Sequence, residues 1–195
     1  MRPTDVIEAC QQAHKRLLNS AARLSESDVR APSSLPSWSR AEVIVHLSRN
    51  ADSHVYLFEG AMKGETRHQY PIAGMREADI AVGSSLPVDQ LVSELGNSCR
   101  ALEAAWDDLS EDQWELKEIV TPGPRTMSEI AFRRLREVEV HHVDLDVGYL
   151  ATDWPSIYVE GEIERSLPNL PERADHVDLV KWLIGRGEAP RLIPW

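Results

Sequence analysis

Glu137 and His141 stand four residues apart in the stretch Met127 to Gly148, MSEIAFRRLREVEVHHVDLDVG. At 3.6 residues per turn, that spacing leaves the two side chains about 40° apart around a helix, one stacked above the other. A carboxylate and an imidazole so placed are two of the three ligands that catalytic zinc sites commonly take, His, His and Glu. The third must come from another element, and His46 is the candidate. Alone, the pair is weak evidence. Glu-x-x-x-His also occurs on plain solvated helix faces, and a lone histidine at a core edge is commonly satisfied by a neighbour. Asp144, three residues past His141, is placed to orient a ligand histidine, though such contacts are as common on bare surface.

The composition narrows the classes of function. A chain of 195 residues, 42% hydrophobic and 27% charged, is enough for one domain with a sizeable core and a small appendage. A net charge of −11 and a pI near 5.1 argue against a nucleic-acid partner, which needs basic patches. The same acidity disfavours an anionic substrate at long range, but salt screens it beyond about 8–10 Å, so local arginines can prevail. No apolar run approaches the roughly 18 residues of a membrane span. The opening MRPTDVIEAC has no apolar signal region, so a cytoplasmic protein is expected, with Cys10 and Cys99 as buried thiols.

Four long helices are expected to carry these residues. The first starts near Thr4 and buries a stripe of Val6, Cys10, Ala13, Leu17, Ala21 and Leu24. After a Pro/Ser loop, Ser39 and Glu42 form a capping box that opens the second. Its apolar arc runs through Val43, Leu47, Ala51, His54, Val55, Phe58 and Met62, with His46 at the edge. A connection from Lys63 to Leu86 follows, long enough to be functional or partly ordered, and it contains Arg76. Pro87 begins the third helix, with Leu91, Leu95, Ser98, Leu102, Ala105, Trp106 and Leu109 as its stripe. A turn at Thr121-Pro122-Gly123-Pro124 and a second capping box, Thr126 with Glu129, start the fourth. There Leu135, Val138 and Leu145 can face a core, while Arg134, Glu137, His141 and Asp144 make a polar side. One more helix near Trp154 to Leu167, a short one from His176 to Ile184 closed by Gly185, and the tail APRLIPW complete the chain.

Four helices with an extended second connection suggest an all-α bundle with a longer crossover. The sequence resembles the mycothiol-dependent maleylpyruvate isomerase family, built on a DinB-like four-helix scaffold. The resemblance rests on separated pieces in order: Trp38-Ser39-Arg40 with His46, then Arg76 to Ala81 with Gly83-Ser84. Arg136 to His141 with Val143-Asp144-Leu145, and Gly185-Arg186-Gly187 with the Pro/Trp tail, complete the set.

That resemblance implies residues 1–150 as a metal-binding bundle and 151–195 as a shortened C-terminal domain. It implies His46, Glu137 and His141 as ligands of a divalent metal, most simply zinc, and Arg76 and Arg186 as binders of substrate carboxylates. Mycothiol, a low-molecular-weight thiol, would be the cofactor and maleylpyruvate, a small dicarboxylate, the substrate. The thiolate would add to the cis double bond, allow rotation, and leave again to give fumarylpyruvate, in gentisate-type aromatic degradation. No nucleic acid or membrane is involved in this reading, and a monomer or small homo-oligomer suffices. Two alternatives stay open: a metal-dependent thiol S-transferase acting on electrophiles, and a non-enzymatic metal-binding helical module.

Overall fold

A computed structural model describes residues 1–120 and 123–193 of the chain. Two compact units divide it, 1–155 and 156–195. The first holds four long helices: α1 (Thr4–Ala21), α3 (Arg40–Lys63), α5 (Val88–Asp108) and α6 (Met127–Asp144). Between them lie two shorter helices, α2 (Glu26–Arg30) and α4 (Met75–Gly83), and one hairpin, β1 (Lys117–Val120) with β2 (Gly123–Thr126). The expected all-α bundle is the observed architecture. The second unit holds α7 (Ser156–Ser166), α8 (Leu170–Arg173) and α9 (His176–Leu183), with Gly185 just beyond at φ 68°. Among the described residues no helix is long and apolar enough to cross a membrane.

Both capping boxes form. Ser39 N–H donates to Glu42 Oε2 at 2.7 Å and Glu42 N–H returns to Ser39 Oγ at 3.3 Å. Thr126 and Glu129 make the same reciprocal pair at 2.8 and 3.1 Å. Each box satisfies two backbone donors that a helix start otherwise leaves orphaned, so α3 and α6 begin at fixed residues. Gly64, at φ 69°, stops α3 in the left-handed conformation that a glycine adopts without strain.

The α5 stripe is buried from Leu91 to Leu109, as its periodicity predicts. Other expectations need correction. In α1 the buried residue of the first turn is Ile7, with Val6 half-exposed, and His14 joins the buried stripe. The helix starts at Thr4, as expected, without a side-chain cap, but stops at Ala21, short of Leu24, and α2 begins at Glu26. The connection from Lys63 to Leu86 is partly ordered, in line with expectation, because it contains α4. Gly123 and Pro124 belong to β2, paired with Val120 and Ile119, rather than to a turn. Thr121 and Pro122 of that expected turn, and Pro194 and Trp195 of the tail, lie outside the described residues.

Arg134 is the largest correction. It belongs to no polar face but is fully buried. Its guanidinium donates to Leu47 O and Asn50 Oδ1, both at 2.8 Å, and to His14 Nε2 at 3.0 Å. It also reaches Cys99 Sγ at 3.5 Å. His14 Nδ1 is in turn 2.7 Å from Glu103. One cation thereby ties α6 to α1, α3 and α5, and its charge is balanced through a neutral imidazole rather than by a direct carboxylate. The pinning sets the rotation of α6, and with it the direction in which Glu137 and His141 leave the helix.

Candidate metal centre

The start of α3 lies beside the end of α6. Arg40 Nε donates to Leu145 O at 2.6 Å, and Ser34 N–H donates to Asp144 O at 2.8 Å. His46, two turns into α3, therefore faces the last turns of α6. Its Nε2 is 2.9 Å from Glu137 Oε2, and His141 Nε2 is 3.5 Å from the same oxygen. One ligand atom from each of the three residues lies within 4.8 Å of the others. The two imidazole rings meet edge to face, with centroids 4.7 Å apart.

Zinc bonds of about 2.0–2.1 Å put tetrahedral ligand atoms roughly 3.3 Å from one another, so small side-chain movements bring this set into range. Asp144 adds a further element of such sites. Its Oδ2 is 2.8 Å from His141 Nδ1, which keeps a proton on that nitrogen and directs Nε2 at Glu137. The donor set fits a divalent metal of the zinc type.

Charge within the trio is strongly redistributed. Burial disfavours the Glu137 carboxylate, but the hydrogen bonds from His141 and His46 outweigh it and hold its pKa well below the usual range. His141 is buried too, yet its contacts with Asp144 and Glu137 lift it to about 9. His46 moves the other way, because burial outweighs its bond to Glu137. These contacts favour a Glu137 carboxylate, a protonated His141 and a neutral His46.

The trio opens onto a pocket of about 180 Å³. Arg76, on α4, donates from Nη2 to His46 Nδ1 at 3.3 Å and lies 5.8 Å over the Trp38 ring. Helix α4 sits tightly on α3: a Cβ on Gly83 would be 2.8 Å from Val45 Cγ1, so this glycine permits the approach. Arg30 bonds Ser84 O and Leu86 O just past the end of α4. Arg186 belongs to the second unit, where its N–H donates to Lys181 O at 2.7 Å.

Several lining residues escape a reading of the sequence. Gln69 and Tyr70 reach the pocket because their segment is laid along β1, with Gln69 N–H donating to Ile119 O at 2.9 Å and Ile119 N–H to Arg67 O at 3.0 Å. Asn50 and His54 follow His46 on α3 at steps of four, a spacing that was available as a signal. His54 is buried, and its Nδ1 has no hydrogen-bond partner among the described residues. Burial, reinforced by the Arg134 charge, pushes its pKa to about 3. Arg133 lines the pocket one turn before Glu137.

These groups set the pH response of the metal-free protein. His14, His54 and His142 are neutral when folded, with pKa values near 4, 3 and 4. Unfolding at acid pH therefore takes up protons, and stability is lost as pH falls below the ordinary histidine range. His141 has the opposite sign: its contribution is complete below about 6.5 and is lost as pH rises through about 9, a change of order 3 kcal/mol. Thermal unfolding in chelator is expected to peak near pH 6.5 and to decline on both sides. A melting temperature that climbs steadily to about pH 8.5 without metal would contradict this charge distribution.

Residues 10–146 match the family model described as mycothiol maleylpyruvate isomerase N-terminal domain. A crystal structure of the mycothiol-dependent maleylpyruvate isomerase is similar at 26% identity with a TM-score of 0.77. The match covers 80% of this chain and 66% of that one, just under two thirds of its length. A histidine-to-alanine variant of that enzyme matches equally in identity and coverage, with a TM-score of 0.75. YfiT from Bacillus subtilis, described as a probable metal-dependent hydrolase with an unusual four-helix bundle topology, shares the fold at 14% identity and a TM-score of 0.59. It matches over 73% of this chain and 82% of its own. No curated protein matches the sequence. With the family match spanning most of the DinB-like bundle, from Cys10 to Asp146, the chain belongs to the mycothiol maleylpyruvate isomerase N-terminal domain family.

Proposed function

We propose that this chain is a metal- and mycothiol-dependent cis–trans isomerase that converts maleylpyruvate to fumarylpyruvate, in gentisate-type aromatic degradation in the cytoplasm. The observation that carries the reading is the convergence of His46, Glu137 and His141 on a pocket that also presents Arg76. The three side chains would hold one divalent ion, and two imidazoles with one glutamate are a ligand set that catalytic zinc sites use. When bound, zinc supplies a positive charge and an open position that favour the thiolate form of a thiol.

The chain's own residues prepare that state. Asp144 holds the proton on His141 Nδ1 and leaves Nε2 to act as a donor atom. For His46 to donate electrons through Nε2, its proton must sit on Nδ1, the atom on which Arg76 now places an N–H. A guanidinium has no acceptor, so Arg76 must then leave His46. Its fork is thereby available to a substrate carboxylate. The family resemblance assigns the other carboxylate to Arg186, in what would be a shortened C-terminal domain.

Mixing zinc-loaded protein with mycothiol and maleylpyruvate and following the ultraviolet spectrum tests the reading. Conversion to fumarylpyruvate is expected only when all three are present, with the thiol recovered. Consumption of thiol into a stable adduct would point to an S-transferase, and metal binding without turnover to a non-enzymatic module.

A further inference from the structure

The pocket beside the candidate ligands is lined by a second arginine, Arg133. Arg133 lies on α6 one turn before Glu137, so the two side chains leave the same face of the helix. It lines the pocket together with Arg76, which arrives on α4, a separate element. Tyr70 is within electrostatic reach of both arginines. Arg133 is half-buried, and burial works against its charge while Glu137 supports it. A desolvated guanidinium gains most from an oxygen anion that enters the pocket.

The placement points the same way. Arg133 on α6 and Arg76 on α4 bring two arginines from separate elements to one small cavity, in a protein whose net charge is −11. Glu77 pairs with Arg76 at 3.3 Å, and the Glu137 carboxylate supports Arg133. Two guanidinium forks match the two carboxylates of one dianion. With Arg76 alone, the bundle would offer a fork to a single carboxylate.

Resting on the isomerase reading above, we infer that Arg133 binds one of the two carboxylates of a dianionic substrate while Arg76 binds the other. Selection for a dicarboxylate is then built into the bundle itself and does not depend on Arg186. Arg133 is a specificity-determining residue in this assignment.

Calorimetric titration of the zinc-loaded full chain with maleate, a dianion, and with monomethyl maleate, a monoanion, tests it. The unaltered protein is expected to prefer maleate. Arg133→Gln should lose about tenfold in affinity for maleate, the scale of one charge-assisted contact, and change that for the monoester by less than about twofold. Arg133→Lys keeps the charge but not the fork, so it should recover only part of the loss and also serves if the glutamine variant fails to fold. Arg186→Gln should leave the preference in place. Zinc content and melting temperature, read on every variant, separate lost recognition from lost structure.

Normal maleate binding by Arg133→Gln would overturn the inference, as would no preference in the unaltered protein or a preference lost only in Arg186→Gln. The reaction assignment fails separately. If maleylpyruvate is not isomerised but the preference still depends on Arg133, the isomerase reading falls and the dianion site stands. If isomerisation proceeds without any dependence on Arg133, the reverse holds.

Discussion

Glu137→Gln is expected to remove zinc binding and turnover together. Glu137 is the shared partner of both histidines, at 2.9 Å from His46 and 3.5 Å from His141, and it supplies the anion in the proposed ligand set. An amide keeps the shape and loses the charge. Loss of an outer-sphere partner typically costs about 10–100-fold in metal affinity, and loss of a ligand should cost more. The substitution also withdraws one of the bonds that lift His141 to about 9, so the alkaline decline in stability of the metal-free protein should shift to lower pH. Metal analysis after dialysis checks the first effect and a pH series of melting curves the second. A variant that folds and retains stoichiometric zinc would remove Glu137 from the ligand set.

Arg76→Ala should spare the metal and impair the substrate. The guanidinium touches His46 only through the nitrogen that faces away from Glu137, so zinc content is expected to stay near that of the unaltered protein. Loss of a bidentate grip on a carboxylate in a partly enclosed pocket should reduce kcat/KM for maleylpyruvate by about 100-fold, or ~3 kcal/mol. Arg76→Lys should recover only part, because an ammonium lacks the planar fork. If Arg186 grips the second carboxylate, Arg76→Ala with Arg186→Ala should lose far more than either alone. Conjugation of a neutral electrophile, where it occurs, should be unaffected. Normal turnover of maleylpyruvate by the double variant would remove both arginines from substrate binding and favour the transferase alternative.

The helices were legible because their signals are local. Two capping boxes fixed the starts of α3 and α6, and the α5 stripe is buried as its period requires. The Glu137/His141 pair and the choice of His46 rested on helical spacing plus the family resemblance, and the structure brings the three together. What the sequence hid depends on packing between distant segments. Arg134 shares a helix with Glu137, but only the acceptors from α1 and α3 make its burial possible. Gln69 and Tyr70 line the pocket because β1 holds their segment, and a hairpin of four-residue strands around Pro124 gives little periodic signal. Arg133 was within reach of the same step of four that singled out His141, taken backwards from Glu137.

Cobalt(II) substitution tests the central claim most directly, because the ion reports its own ligands. The protein should take up one cobalt per chain and show the visible absorption of a low-coordinate site with nitrogen and oxygen donors. Addition of a thiol should then produce a sulfur-to-cobalt charge-transfer band in the near ultraviolet, which requires an open coordination position. Both signals should vanish in His46→Ala, Glu137→Gln and His141→Ala. Cobalt uptake that survives all three substitutions, or a bound ion that gives no thiol band, would contradict a catalytic metal centre built from these residues.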